Sequence, residues 1–184
     1  MLQDRVQENA GMQGGSPSAR ASSVKKAVIA GNAAIIFIVV LSLIGLYFLS
    51  NYSYLLFHNI VEIFSVAIAF SIFAIAWNTR RITDNNYFVF IGIALAFVAS
   101  LSLIHTLAYK GMGVFPIYVE ADLATQLWIA TRYLLSFSFL LPLLFVQRKI
   151  KSVIIIASYS IATSLLLVSI FIWQNFPVAY DITI

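Results

Sequence analysis

Five apolar segments, at about 27–50, 55–77, 87–109, 123–145 and 153–173, occupy most of the chain. Each is close to the ~20 residues that a helix rising about 1.5 Å per residue needs to cross ~30 Å of hydrocarbon. The runs are roughly twice the length of a membrane-spanning strand and show no strict alternation, so a β-barrel does not fit them. The fold class expected is therefore all-α and integral to a membrane, a bundle of five transmembrane helices.

Composition agrees. Of 184 residues, 61% are hydrophobic and 10% charged, against about 25% charged in an ordinary soluble domain. No cysteine is present, which excludes disulfides, thiolate metal sites and c-type haem attachment within the chain. The net charge of +4 does not point to nucleic acid, because the basic residues stand in short clusters beside apolar runs. Residues 1–26 are polar and include the low-complexity stretch Gly14, Gly15, Ser16, Pro17, Ser18. A disordered cytoplasmic tail is expected there. A cleaved signal peptide is not, since the first apolar run is too long and no small-residue cleavage site follows Phe48.

The clusters set a topology. Arg20, Lys25 and Lys26 precede the first run, Arg80 and Arg81 separate the second from the third, and Arg148, Lys149 and Lys151 separate the fourth from the fifth. The opposite connections carry Lys110 as their base, against Glu120 and Asp122. The positive-inside rule then makes the N-terminus cytoplasmic and turns the loops at 51–54 and 110–122 outward. Trp77, Tyr87, Tyr109 and Trp173 fall at the expected interfaces. With five crossings, residues 174–184 form a short extracytoplasmic tail. Gly92, Ala96 and Ser100, and less regularly Ala157, Ile161 and Ser164, offer small faces for close helix approach, within the bundle before between copies. Pro142 is placed to bend the fourth helix, and Gly111 to cap the third.

Against this background His58, Glu62, His105 and Arg132 are out of place. A charge at the bilayer centre costs roughly 2.5 kcal/mol or more, so such residues usually line a site, a path or a buried pair. His58 and Glu62 share a helix face at i, i+4 spacing. The alternating direction of the runs brings both to the outer third of the bilayer, level with His105 and with Gln126, Trp128, Arg132 and Tyr133. Glu62 and Arg132 read first as an ion pair tying the second helix to the fourth, and the histidines as interfacial residues partly reached by water. A ligand site is the sharper reading. Two imidazoles and a carboxylate suit zinc, copper or iron in type and number, with His58 and His105 as the metal ligands and Met112 as a soft addition for copper. Haem between the two histidines would need nearly opposed rings. A small polar or anionic molecule clamped by Arg132, or a protonation switch near neutral pH, uses the same residues. No nucleophilic triad, carboxylate pair or phosphate loop is present, so catalysis in this chain is not expected.

Longer motifs run through the same region. Phe57-His58, Glu62-Ile-Phe-Ser65, Ala76-Trp-Asn-Thr-Arg-Arg81, Asp84-Asn-Asn-Tyr87, His105-Thr-Leu-Ala-Tyr-Lys-Gly-Met112 and Thr125-Gln-Leu-Trp-Ile-Ala-Thr-Arg-Tyr133 resemble, in order and spacing, the third membrane-associated sensor (MASE) domain family. The similarity extends from about Ala27 to Trp173. It implies a multi-pass input module of the bacterial or archaeal inner membrane that precedes PAS domains, histidine kinases or diguanylate cyclases. The motif positions include His58, Glu62, His105, Lys110, Gln126, Trp128 and Arg132. Two positions depart from the pattern: Ser102 and Leu135 stand where the family usually carries an acidic residue.

Residues 27–173 are thus expected to form a sensory domain lying in the lipid bilayer and responding to a ligand at its outer leaflet. The chain is expected to be truncated before an output domain, and to signal as a homodimer or through a separate cytoplasmic output protein, in a two-component or cyclic di-GMP system. The alternatives are a haem-, metal- or quinone-binding membrane subunit, or a transporter fragment. The latter is disfavoured because the inner halves of the second and third runs offer little beyond Ser65 and Ser71 for a continuous polar path.

Overall fold

A computed structural model of the protein describes residues 17–82, 86–115, 121–144 and 150–179. Among these the structure is all helical: α1 (Pro17–Tyr52), α2 (Tyr54–Thr79), α3 (Asn86–Ala108), α4 (Ala121–Leu144) and α5 (Ser152–Val168), the last continued by a π-helical turn, Ser169–Trp173. The chain divides into two units, Met1–Ser53 and Tyr54–Ile184. Glu120, Arg148, Lys149, Asp84 and the expected tail up to residue 16 lie outside the described residues.

The first unit contributes α1. It begins at Pro17, ten residues before the expected first span, so residues 17–26 are helical where a disordered tail was expected. Proline is favoured at a helix start, where its missing N–H would have no partner, and the alanines and lysines that follow sustain a helix. Ile35, Ile36, Phe37 and Ile38 are all exposed although they point to successive sides of the helix. A helix apolar on every side belongs in lipid.

In the second unit α3 is the central element, packed against α2, α4 and α5. Neighbours are antiparallel: Ala76 of α2 meets Gly92 near the start of α3, while His58 near the start of α2 meets His105 near the end of α3. The α2–α3 seam is close because Gly92 has no side chain. A Cβ placed there would come within 2.2 Å of the Ala76 Cβ, inside any allowed contact, and Ala76 itself is fully buried. Gly92 therefore acts within the bundle, while Ser100 of the same expected small face is exposed.

The small face on the fifth helix behaves differently. Ala157, Ile161 and Ser164 are exposed, and Ile155, Tyr159 and Thr163 are buried instead. Tyr159 explains the choice. Its hydroxyl donates to Ser138 Oγ on α4 at 2.7 Å, and its ring lies 5.8 Å from Phe90 and 5.7 Å from Phe97 on α3. A large ring with one polar tip gains more from this face than a row of small side chains, provided the hydroxyl finds a partner. The Ser138 hydroxyl in turn donates a hydrogen bond to the Leu134 carbonyl.

Apolar residues fill both ends. One cluster joins Val89, Phe90, Ile93, Ala94, Ile155 and Tyr159; the other joins Ala108, Leu123, Ala124, Leu127, Ala130 and Ile170. Among the described residues, α1, α2, α3 and α5 with its π turn are long and apolar enough to cross a membrane. α4 carries Asp122, Gln126 and Arg132 in its first half. Pro142 lies buried inside α4. Gly111, just past α3, takes φ +102°, a conformation open to glycine and costly for other residues.

Replacing Gly92 by alanine should force α2 and α3 apart and lower the unfolding free energy by about 1–3 kcal/mol. At Gly45, where an added methyl meets nothing within 4 Å, the same change should be neutral or stabilising by up to about 1 kcal/mol. Reversible unfolding in mixed micelles compares the two.

Candidate functional site

The polar residues gather at one end of the second unit because that end collects the start of α2, the end of α3 and the start of α4. His58 lies in the second turn of α2, His105 in the last turn of α3, and Asp122 in the first turn of α4. The antiparallel register brings these turns level.

His105 is the anchor. It is 5% exposed, and its Nδ1 lies 2.8 Å from the backbone carbonyl of Ala124. A carbonyl can only accept, so Nδ1 carries the hydrogen and donates it, which leaves the lone pair of the neutral ring on Nε2. That Nε2 is buried and has no hydrogen-bond partner among the described residues. The same holds for Nε2 of His58. The two rings meet edge to face with centroids 5.5 Å apart, and the Tyr109 ring lies tilted against His58 at 4.3 Å.

Glu62, one turn along α2 from His58, completes the group. Ligand atoms of His58, Glu62 and His105 lie within 4.8 Å of one another. A Glu62 carboxylate oxygen also lies 3.8 Å from an Arg132 guanidinium nitrogen, so the structure brings together the pair expected to tie the second helix to the fourth. The contact is an ion pair longer than a hydrogen bond. The Arg132 side chain is 46% exposed and that of Glu62 13%, and the guanidinium sits 5.2 Å from the Trp128 ring centre, within cation–π range.

A cavity of about 380 Å³ adjoins the histidines and is lined by His58, His105, Tyr109, Lys110, Thr125 and Trp128, among others. Of the expected binding residues, His58, His105 and Trp128 reach it; Glu62 and Arg132 meet each other beside it. Gln126 is engaged elsewhere. Its amide donates to Asp122 at 2.7 Å, and the other Asp122 oxygen accepts the backbone N–H of Ala179, tying the segment after α5 to the head of α4. Met112 lies by Asn59, whose amide is 3.0 Å from its sulfur. Tyr109 and Thr125 enter the site without having been singled out for it. Tyr109 reads in sequence as an interfacial aromatic, but it stands one turn beyond His105 at the end of α3, and both rings meet His58. At the opposite end of α2, Arg80 stacks on Trp77 at 3.7 Å and bonds its carbonyl.

Residues 49–182 match the family model of the MASE3 membrane-associated sensor domain. The chain belongs to that family. It is a sensory input domain of a signalling protein, and a multi-pass membrane protein; a sensor domain of this kind is not itself catalytic. The match begins in the last turn of α1, so residues 49 onward carry the resemblance that the motifs trace from about Ala27. No curated protein and no solved structure gives a significant match.

The Glu62–Arg132 contact can be measured by a double-mutant cycle with Glu62→Gln and Arg132→Met. Removing Arg132 alone leaves a largely buried carboxylate without its cation and should destabilise more than removing both. The expected coupling is about 0.5–3 kcal/mol; none would mean that the two charges are independently solvated.

Proposed function

We propose that the domain receives its signal at the end of the bundle that holds His58, Glu62, His105, Trp128 and Arg132, with Gln126 holding Asp122 and so the head of α4. On this reading the end faces outward across the inner membrane, the N-terminus is cytoplasmic, residues 27–173 form the sensory unit, and the output is a histidine kinase or diguanylate cyclase on the cytoplasmic side. The partner on this reading is a second copy of the chain or a cytoplasmic output protein. The observation that carries the reading is the convergence of a carboxylate and two buried imidazole nitrogens, both without a hydrogen-bond partner among the described residues, in a sensor-family domain. Groups so costly to bury in lipid usually mark function. The orientation is supported by Arg80, Arg81 and Lys151, which stand at the other ends of α2, α3 and α5. A ligand acts by favouring one packing of α2, α3 and α4 over another, and only by its affinity difference between the two.

Two experiments test this. The chain has no cysteine, so single cysteines at Val114 and Asn78 report their own sides. A membrane-impermeant maleimide should label the first in intact cells and the second only after permeabilisation; the reverse pattern would overturn the orientation. In an intact signalling protein carrying this domain, His105→Ala and Arg132→Ala should hold kinase or cyclase output at one level while the native protein responds. Native-like responses from both variants would remove the site from the signalling path.

A further inference from the structure

We propose that His58, Glu62 and His105 bind a single divalent first-row transition-metal ion of the zinc or copper class, through two imidazole nitrogens and one carboxylate. This deepens the sensor reading by assigning the ligand class of the same site.

The argument starts from His105. Its N–H is committed to the Ala124 carbonyl, so its lone pair must be on Nε2, the nitrogen without a partner among the described residues. A metal-binding histidine is usually oriented in this way, its second nitrogen donating to a carbonyl or carboxylate that fixes the tautomer. His58 Nε2 is likewise buried without a partner among the described residues. Buried polar atoms in folded proteins are overwhelmingly paired, so two orphaned nitrogens on facing rings call for an occupant. A proton serves one of them; a metal ion serves both and the carboxylate together.

Distances bear on the kind of occupant. Zinc or copper bonds nitrogen and oxygen at about 2.0–2.2 Å, which sets neighbouring ligand atoms about 3.4 Å apart in a tetrahedron. The three side chains offer atoms within 4.8 Å of one another, so a modest side-chain adjustment brings the set to that spacing. Imidazole with carboxylate, and no thiolate, suits zinc and copper(II). A haem fits less well. The rings stand edge to face rather than opposed, and Tyr109 covers His58. Three protein ligands leave one coordination position for water or an exogenous molecule, and the cavity lined by both histidines has room for either.

Glu62 makes the site responsive. Its carboxylate now faces Arg132 at 3.8 Å, and a bound dication both takes that carboxylate and repels the guanidinium. Binding therefore exchanges a tie between α2 and α4 for a clamp between α2 and α3. No covalent or redox step is involved.

The test uses the full chain, purified in lipid nanodiscs without a polyhistidine tag, dialysed against zinc(II) or copper(II) and analysed for bound metal. Copper spectra should show nitrogen hyperfine structure. One ion per chain is expected. Affinity should fall about tenfold or more in His58→Ala, His105→Gln and Glu62→Gln, and hold or rise in Arg132→Ala, which releases the carboxylate. His105→Gln can still donate to Ala124 but has no imidazole lone pair, and circular dichroism checks that it folds. No stoichiometric ion on the folded native chain, or binding indifferent to His105→Gln and Glu62→Gln, overturns the site. If the ion binds as described but output ignores it, the sensor reading fails and the metal site stands. If the variants lock the output and no ion binds, the metal site fails alone.

Discussion

Two close approaches to α3 organise the second unit. At one end Gly92 lets α2 in against Ala76; at the other, His105 reaches the Ala124 carbonyl of α4. The first is permitted by the lack of a side chain, the second by a carbonyl with a spare lone pair. In lipid, helices gain little by hiding apolar surface from one another, so fit and polar contacts of this kind carry the association. Tyr159 reaching Ser138 ties α5 to α4 by the same logic.

The helices themselves were legible because length and apolarity suffice to define them. The second run was expected from Leu55 and the helix starts at Tyr54; the third was expected from Tyr87 and starts at Asn86. What failed was the choice of packing face on α5. Small residues mark where a backbone is able to approach, but not where it does. The contacts that turn Tyr159 inward come from Ser138, Phe90 and Phe97 on two other helices, and no local period records them. The extension of α1 to Pro17 was missed for a related reason. A polar, serine-rich stretch reads as a tail, although proline, alanine and lysine in that order support a helix.

The site was legible through cost. His58, Glu62, His105 and Arg132 stand out because each is expensive in an apolar run, and helix direction alone placed them at one end. The partners that give them roles carry no such mark. Ala124 contributes a backbone carbonyl, which every residue has. Tyr109 looks like any interfacial aromatic until its place one turn beyond His105 sets it against His58. Gln126 looked like a binding residue because it is polar and in register, yet Asp122, one turn earlier on the same face, takes its amide. Spacing brings residues to a level; it does not say which neighbour they prefer.

The magnitudes bear on how such a site would act. Moving a two-state bundle from 1:99 to 99:1 needs about 5.5 kcal/mol of differential binding. Two unit charges near 4 Å interact by about 4 kcal/mol at an effective dielectric of 20, and the half-exposed Arg132 reduces that towards the 1 kcal/mol of a surface pair. Release of Glu62 from Arg132 is therefore too small to throw the switch by itself. The remainder has to come from contacts that a ligand makes to α3. His105 is the side chain placed to convey them, because its other nitrogen already holds α4. On the proposed reading, Glu62 sets the direction of the response and His105 supplies most of its energy, with the Ala124 carbonyl carrying the change to α4.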